Sequence, residues 1–257
     1  MWKPPDCSSV SHPERTRRKH HLKHRAEQGA RVSAHYRSNA GTLEPLQTEY
    51  GQAQIQSVRG DLTKEDDVTT MFADASKTFG PVQIIIVNHA YYPPEDVPVA
   101  RMSLDQWNST ISADLTSTFL VVRGYLNGLE GASTAEKDKA AIVMIGSTAG
   151  KFGEGGHADY AACKSGESTL ETSRKCRGIL PAISTAMMYG LNMTLKNEIV
   201  KIAPKGRVNC VAPGWVRTPM AASSLENPRV VYQALATYVQ CRSSFPLYSK
   251  AQITEHP

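Results

Sequence analysis

Three side chains in this 257-residue sequence have the types and spacing for proton-coupled chemistry at a carbonyl group. Tyr160 and Lys164 stand four apart in YAACK, so on a helix they share a face and the ammonium lies near the phenol. A tyrosine with a pKa near ~10 is a poor acid–base group at neutral pH. A neighbouring cation favours the phenolate and brings that value toward the working range. Ser147, thirteen residues before Tyr160, can donate to the same oxygen that Tyr160 protonates. Together the three fit hydride delivery to a carbonyl carbon, with Tyr160 as proton donor and Ser147 as the polarising partner. A YxxxK spacing alone recurs by chance in about every second chain of this size, so its placement must carry the reading.

The placement is that of an α/β sheet. Segments 30–36 (ARVSAHY) and 53–61 (AQIQSVRGD) read as short strands, and VQIIIV at 82–87 is apolar throughout, as a strand covered on both faces must be. Two more strands fall at 139–147 and 206–214. Between them, Val68, Met71, Phe72, Ala75 and Phe79 mark one face of an amphipathic helix. Ser103 and Gln106 form a capping box for a long helix running to about Leu129, and a further helix starts near Ala158. Strands separated by helix-length segments imply βαβ units, a parallel sheet and right-handed crossovers. In such sheets ligands bind beyond the carboxyl ends of the strands. Asn88-His89-Ala90, Ser147, and Pro213-Gly214 followed by Thr218 all stand at such ends.

Composition narrows the class. The chain is 40% hydrophobic and 21% charged, long enough for one α/β domain, with no apolar run of membrane-spanning length. Its five cysteines are odd in number, widely spaced and form no CxxC pair, which implies reduced thiols and a cytoplasmic protein. Residues 1–28 carry seven Lys/Arg against three Asp/Glu, or +4 of the net +5, and read as a basic, disordered arm. RTRRKHHLKHR within it raises a nucleic-acid reading, but it lacks interleaved aromatics for base stacking, and a solvated tail is favoured. His20 and His24 are spaced i, i+4 without a third ligand nearby, so no metal site is expected.

On Ser147, Tyr160 and Lys164, on Asn88 in NHA and on PGWVRT, the sequence from about Gly29 to Ala236 resembles the short-chain dehydrogenase/reductase family. It is most similar to the branch of 3-oxoacyl-acyl-carrier-protein reductases and related ketoreductases. The resemblance implies a Rossmann-type doubly wound parallel sheet, a small-molecule carbonyl or alcohol substrate, and a homodimer or homotetramer built through the long helix and the catalytic helix. It implies Ser147, Tyr160 and Lys164 as catalytic residues, with Asp114 where the family carries an asparagine. For the cofactor it implies Asp61 with Leu62 at the adenine, Asn88 and Ala90 beyond the third strand, Tyr160 and Lys164 themselves, and Pro213, Gly214 and Thr218 at the nicotinamide. It also implies a lid over the substrate at 220–236. Arg37 and Ser38, following the strand at 30–36, favour NADP(H) over NAD(H), because a cation there accommodates a 2′-phosphate. The alternative is that Arg37 is a solvated loop cation.

Three departures from the family pattern make the expected α/β sheet incomplete, with its first and last strands lacking. No glycine occurs in residues 1–28, where the family places a strand and a TGxxxGxG turn that holds the pyrophosphate. Residues 166–185 interrupt the helix of Tyr160 with Gly166, Gly178 and Pro181; without them YAACKSAMMYGLNMTLKNEI reads as one helix. Residues 237–257 form a divergent tail. The expected organisation is therefore an arm at 1–28, a domain at 29–236 with its insert, and that tail. The expected function is a ketoreductase interconverting a ketone and a secondary alcohol. The alternatives are an inactive derivative of that family, the product of an incompletely spliced transcript, or nucleic-acid binding through the arm.

Overall fold

The computed structural model describes residues 26–41, 43–165, 187–216, 224–228 and 230–232. The basic arm up to residue 25, the 166–185 insert, Thr218 and the 237–257 tail lie outside the described residues. The chain divides into two compact units, 1–213 and 214–257. In the second, Ser224–Glu226 form a short 3-10 turn and the Val231 amide donates to the Asn227 carbonyl at 3.0 Å.

In the first unit, five strands alternate with helices, and every ladder among the described residues is parallel. Strand β1 (Val32–Tyr36) pairs with β2 (Ile55–Arg59), while β3 (Ile84–Val87), β4 (Ala141–Ile145) and β5 (Arg207–Val211) form a second set in that order. The sheet class and its partial character thus follow the sequence reading. Each strand is a few residues shorter than its apolar segment, because the flanking residues are already in the turns. On β3 the expected double coverage holds for one face only. Ile85 and Val87 are buried in the core, whereas Ile84 is 46% exposed.

Helix α1 (Glu44–Tyr50) covers β1 and β2 through Leu46, which packs with Leu43, Val32, Ala34 and Ile55. Helix α2 (Glu65–Phe79) forms where the apolar stripe predicts it. Val68, Met71, Phe72 and Ala75 are buried, each large side chain contributing about 1.5–3 kcal/mol by leaving water. Its first turn carries Glu65, Asp66 and Asp67 against the positive end of the helix dipole. Gly80, at φ +75°, ends it and donates its amide back to Ser76.

The long helix is three segments rather than one: α3 (Leu104–Thr110), a π-helical turn (Ile111–Thr116) and α4 (Ser117–Glu130). The Ser103 hydroxyl caps α3 by accepting from the Gln106 amide at 3.1 Å. The reciprocal half of the expected capping box is absent, because the Gln106 side chain reaches instead to Asp159 at 3.2 Å. On α4, Leu120, Val121, Tyr125 and Leu129 enter the core, and the Tyr125 hydroxyl donates to the Gln83 carbonyl at 2.7 Å, anchoring the helix beside β3. Helix α5 (Thr134–Lys137) opens on a complete capping box between Ser133 and Glu136. Short helices α6 (Ala149–Phe152) and α7 (Ala158–Lys164) follow β4, and α8 (Met187–Ile202) precedes β5.

Gly124 lets α4 approach α2. A Cβ there would come 2.8 Å from two ring atoms of Phe72. Gly124→Val is therefore expected to destabilise the fold by about 1–3 kcal/mol through overpacking. A urea midpoint unchanged from wild type would show that the two helices are not held in this contact.

Candidate active site

The segment after β4 is fixed by its neighbour. The Gly146 amide donates to the Val211 carbonyl at 2.8 Å, and the Thr148 amide donates to the Pro213 carbonyl at 3.0 Å. Between them, the Ser147 hydroxyl accepts from the Ala149 amide at 3.2 Å and acts on the Tyr160 phenol in favour of its ionised form. Tyr160 is buried, 9% exposed, on α7. One turn on, Lys164 is 2% exposed, with its Nζ 5.9 Å from the Tyr160 ring centroid. The three residues singled out for chemistry therefore meet at the carboxyl end of β4.

Lys164 is held by two oxygens. Its Nζ lies 3.7 Å from Asp114 Oδ2 and donates to the His89 carbonyl at 3.4 Å. Asp114 is fully buried in the π-helical turn, and its Oδ1 accepts from the Tyr91 amide at 2.6 Å. Burial works against the Lys164 charge, but the Asp114 carboxylate outweighs it, so the lysine is held above its ordinary pKa and stays cationic. Burial pushes the Asp114 carboxyl up, with Lys164 and the Tyr91 amide opposing. The position where the family carries an asparagine thus holds the lysine's counter-ion.

That arrangement corrects the expected direction at Tyr160. Burial raises its pKa, and the Asp114 and Glu154 carboxylates add to the rise; Lys164 and the Ser147 hydrogen bond offset only part of it. Lys164 acts on the phenol in the expected direction, but burial outweighs it. The phenol is thus a protonated donor at neutral pH. It follows that alcohol oxidation, which needs the phenolate as base, should rise as pH increases toward and beyond ~10, while ketone reduction should fall over the same range. A pH–rate profile in both directions checks this; an oxidation rate already at its plateau near neutrality would contradict it.

Sequence reasoning did not find the group that sets the tilt of α7. Asp159, fully buried, accepts from the Thr110 hydroxyl at 2.7 Å and the Gln106 amide at 3.2 Å, tying α7 to α3. No periodicity marks it, because it lies on a seven-residue helix against a partner 49 residues away. His89 was also missed as a contact. Its carbonyl holds Lys164, and its Nε2 lies 2.6 Å from Ser117 Oγ. Cys163, beside Lys164, is a buried structural thiol pushed up to about 12 by burial.

The expected cofactor residues divide. Arg37 and Ser38 are exposed immediately beyond β1, and the Arg37 carbonyl accepts from the Arg59 guanidinium at 3.3 Å. Asp61, beyond β2, accepts from the Thr63 amide and hydroxyl at 3.1 and 2.8 Å. Burial raises its pKa, but those bonds and the Arg37 and Lys64 charges together outweigh it and bring it below the usual carboxylate value. Leu62 points into the core beside Val58 and Met71, so its side chain is not available to a ligand. Asn88 and Ala90 flank His89 at the end of β3, half-buried. Pro213 is joined to the Ser147 segment, while Gly214 belongs to the second unit and Thr218 lies outside the described residues. No helix among the described residues is long and apolar enough to cross a membrane.

Comparison with known proteins agrees with this geometry. Residues 19–176 match the family model described as short chain dehydrogenase. Cis-4-hydroxycyclohexanecarboxylate dehydrogenase of Sinomonas cyclohexanicum is 27% identical over 165 residues, or 64% of this chain, which spans only 55% of that protein's length. Acetoacetyl-CoA reductase of Shinella zoogloeoides is 26% identical over 209 residues, covering 80% of this chain and 73% of that one. The crystal structure of a short-chain dehydrogenase/reductase (glucose/ribitol dehydrogenase) from Brucella melitensis superposes with a TM-score of 0.58 at 24% identity, covering 78% of this chain and 69% of that one.

Proposed function

This chain belongs to the short-chain dehydrogenase family, and on that premise we propose that it reduces a ketone to a secondary alcohol with NADPH, or runs the reverse oxidation. The observation that carries the reading is the meeting of Ser147 and the buried Tyr160 beyond β4, with a buried cation one helical turn away. A nicotinamide cofactor supplies the hydride in such a reaction. The residues present suit that group at two places. Arg37 and Ser38 offer a cation and a hydroxyl, exposed beyond β1, for a phosphate-bearing adenosine. Ser147, Tyr160 and Lys164 offer hydroxyl and ammonium donors beyond β4.

In reduction, the Tyr160 hydroxyl gives its proton to the carbonyl oxygen as negative charge develops there, and the Ser147 hydroxyl donates to the same oxygen. Lys164 stabilises the phenolate left behind, and Asp114 keeps Lys164 charged and fixed in the absence of solvent. The raised Tyr160 pKa favours the protonated reactant state that reduction requires.

The direct test is calorimetry with NADPH and NADH on the full chain, followed by ketone reduction read from cofactor absorbance. Absence of NADPH binding by a folded chain would sink the reading. Arg37→Ala is expected to weaken NADPH binding about tenfold and leave NADH binding unchanged, as loss of one charge-assisted phosphate contact implies. Equal weakening of both would reduce Arg37 to a loop cation.

A further inference from the structure

Beyond β3, the chain runs as a strap from Tyr91 to Pro98 that is fastened at three points around the Tyr160 site. The Tyr91 amide donates to Asp114, the Val97 amide donates to the Gly156 carbonyl at 2.9 Å, and Asp96 Oδ1 lies 2.8 Å from His157 Nε2. Gly156 sits at φ +83°, and a Cβ there would come 2.8 Å from Asp96, so the third fastening requires glycine. The strap presents one ring to the site. Tyr92 meets Tyr160 edge-on at 4.9 Å between centroids and lies against His157 at 4.2 Å. His157 is 1% exposed, and its Nδ1 has no partner. Tyr92 itself is half-buried.

We infer that this strap is the substrate-selecting wall of the site, with Tyr92 its specificity-determining residue, and that it admits uncharged ketones in preference to carboxylate- or phosphate-bearing ones. A rigid ring beside the proton donor offers an apolar face to the substrate, and the hydroxyl offers a polar tip. The ionisable groups acting on that ring are the carboxylates of Glu154, Asp96 and Asp159 and the Tyr160 phenol, all of acidic type. Glu154 is half-buried and acts on the Tyr160 phenol, and the exposed Asp96 is held against His157, whose ring lies on Tyr92. The buried cation of the site already has Asp114 as its counter-ion. An anionic substrate would meet like charge on entry, whereas a neutral one would not. This selectivity is unlike the substrates for which the two relatives are named, a carboxylate-bearing alcohol and a CoA thioester.

The inference rests on the ketoreductase reading, and two readouts keep them apart. Ethyl acetoacetate and acetoacetate present the same ketone with and without charge. The full chain should show kcat/KM at least about tenfold higher for the ester. Asp96→Asn with Glu154→Gln should narrow that ratio several-fold. Saturation-transfer NMR should show ester binding that Tyr92→Ala weakens. Equal use of both compounds, preference for the anion, or a ratio indifferent to the two neutralising substitutions would overturn the inference. No turnover of either compound, with ester-selective binding still lost in Tyr92→Ala, would reject the reductase reading and retain the wall. Binding of neither compound would overturn the inference itself.

Discussion

Tyr160→Phe should lower kcat for ketone reduction by about 10²–10⁴-fold, the contribution of a positioned general acid. The ring stays, so packing against Tyr92 is kept, and only the hydroxyl that meets Ser147 is lost. The fold should therefore survive. Only one polar atom is removed, and Ser147 retains the Ala149 amide as donor. KM should change little, because the lost interaction is one that strengthens as the carbonyl oxygen gains charge. Steady-state kinetics beside a thermal melt separates the two effects. A variant retaining more than about a tenth of wild-type kcat would remove Tyr160 from the role of proton donor.

Lys164→Met should be the more damaging change to stability. The lysine is 2% exposed and its partner Asp114 is fully buried, so the substitution leaves a carboxylate in a dry site with the Tyr91 amide as its main support. Breaking a buried pair from one side costs about 3–5 kcal/mol, whereas replacing both members with neutral groups of similar volume is often close to neutral. The double variant Lys164→Met with Asp114→Asn should accordingly recover most of the loss. Urea denaturation of the two single variants and the double one measures the coupling between the residues. Additive losses would mean that the 3.7 Å contact carries no coupling energy.

The residues that local pattern could reveal were those whose partners lie within one or two helical turns. Val68, Met71, Phe72 and Ala75 declare α2 by periodicity, and Tyr160 with Lys164 declares one face of α7. Parallel pairing followed from the alternation of apolar segments with helices, and the carboxyl-end rule then brought Asn88, Ser147 and Pro213 to one side of the sheet. The charge state of Tyr160 was not legible, because it depends on burial and on Asp114, 46 residues earlier in the chain. The resemblance implies Leu62 at the adenine, whereas its side chain is buried in the core that includes Val58 and Met71. Gln106 looked like half of a local box, and a buried carboxylate on another helix competes more strongly for its amide.

Between Thr110 and Ser117 the helix closes its turns on the fifth residue rather than the fourth. Each residue of an α-helix advances about 100° around the axis, so one additional residue in a turn rotates everything after it relative to everything before. Gln106 and Thr110 can therefore face Asp159 while Leu120, Val121 and Tyr125 face the core, two orientations that a plain α-helical count would not reconcile. Asp114 falls inside the shifted window. Its meeting with Lys164 is a matter of length as much as chemistry: a chain shorter by one residue at this point would keep every side chain of the site and still dissolve the pair.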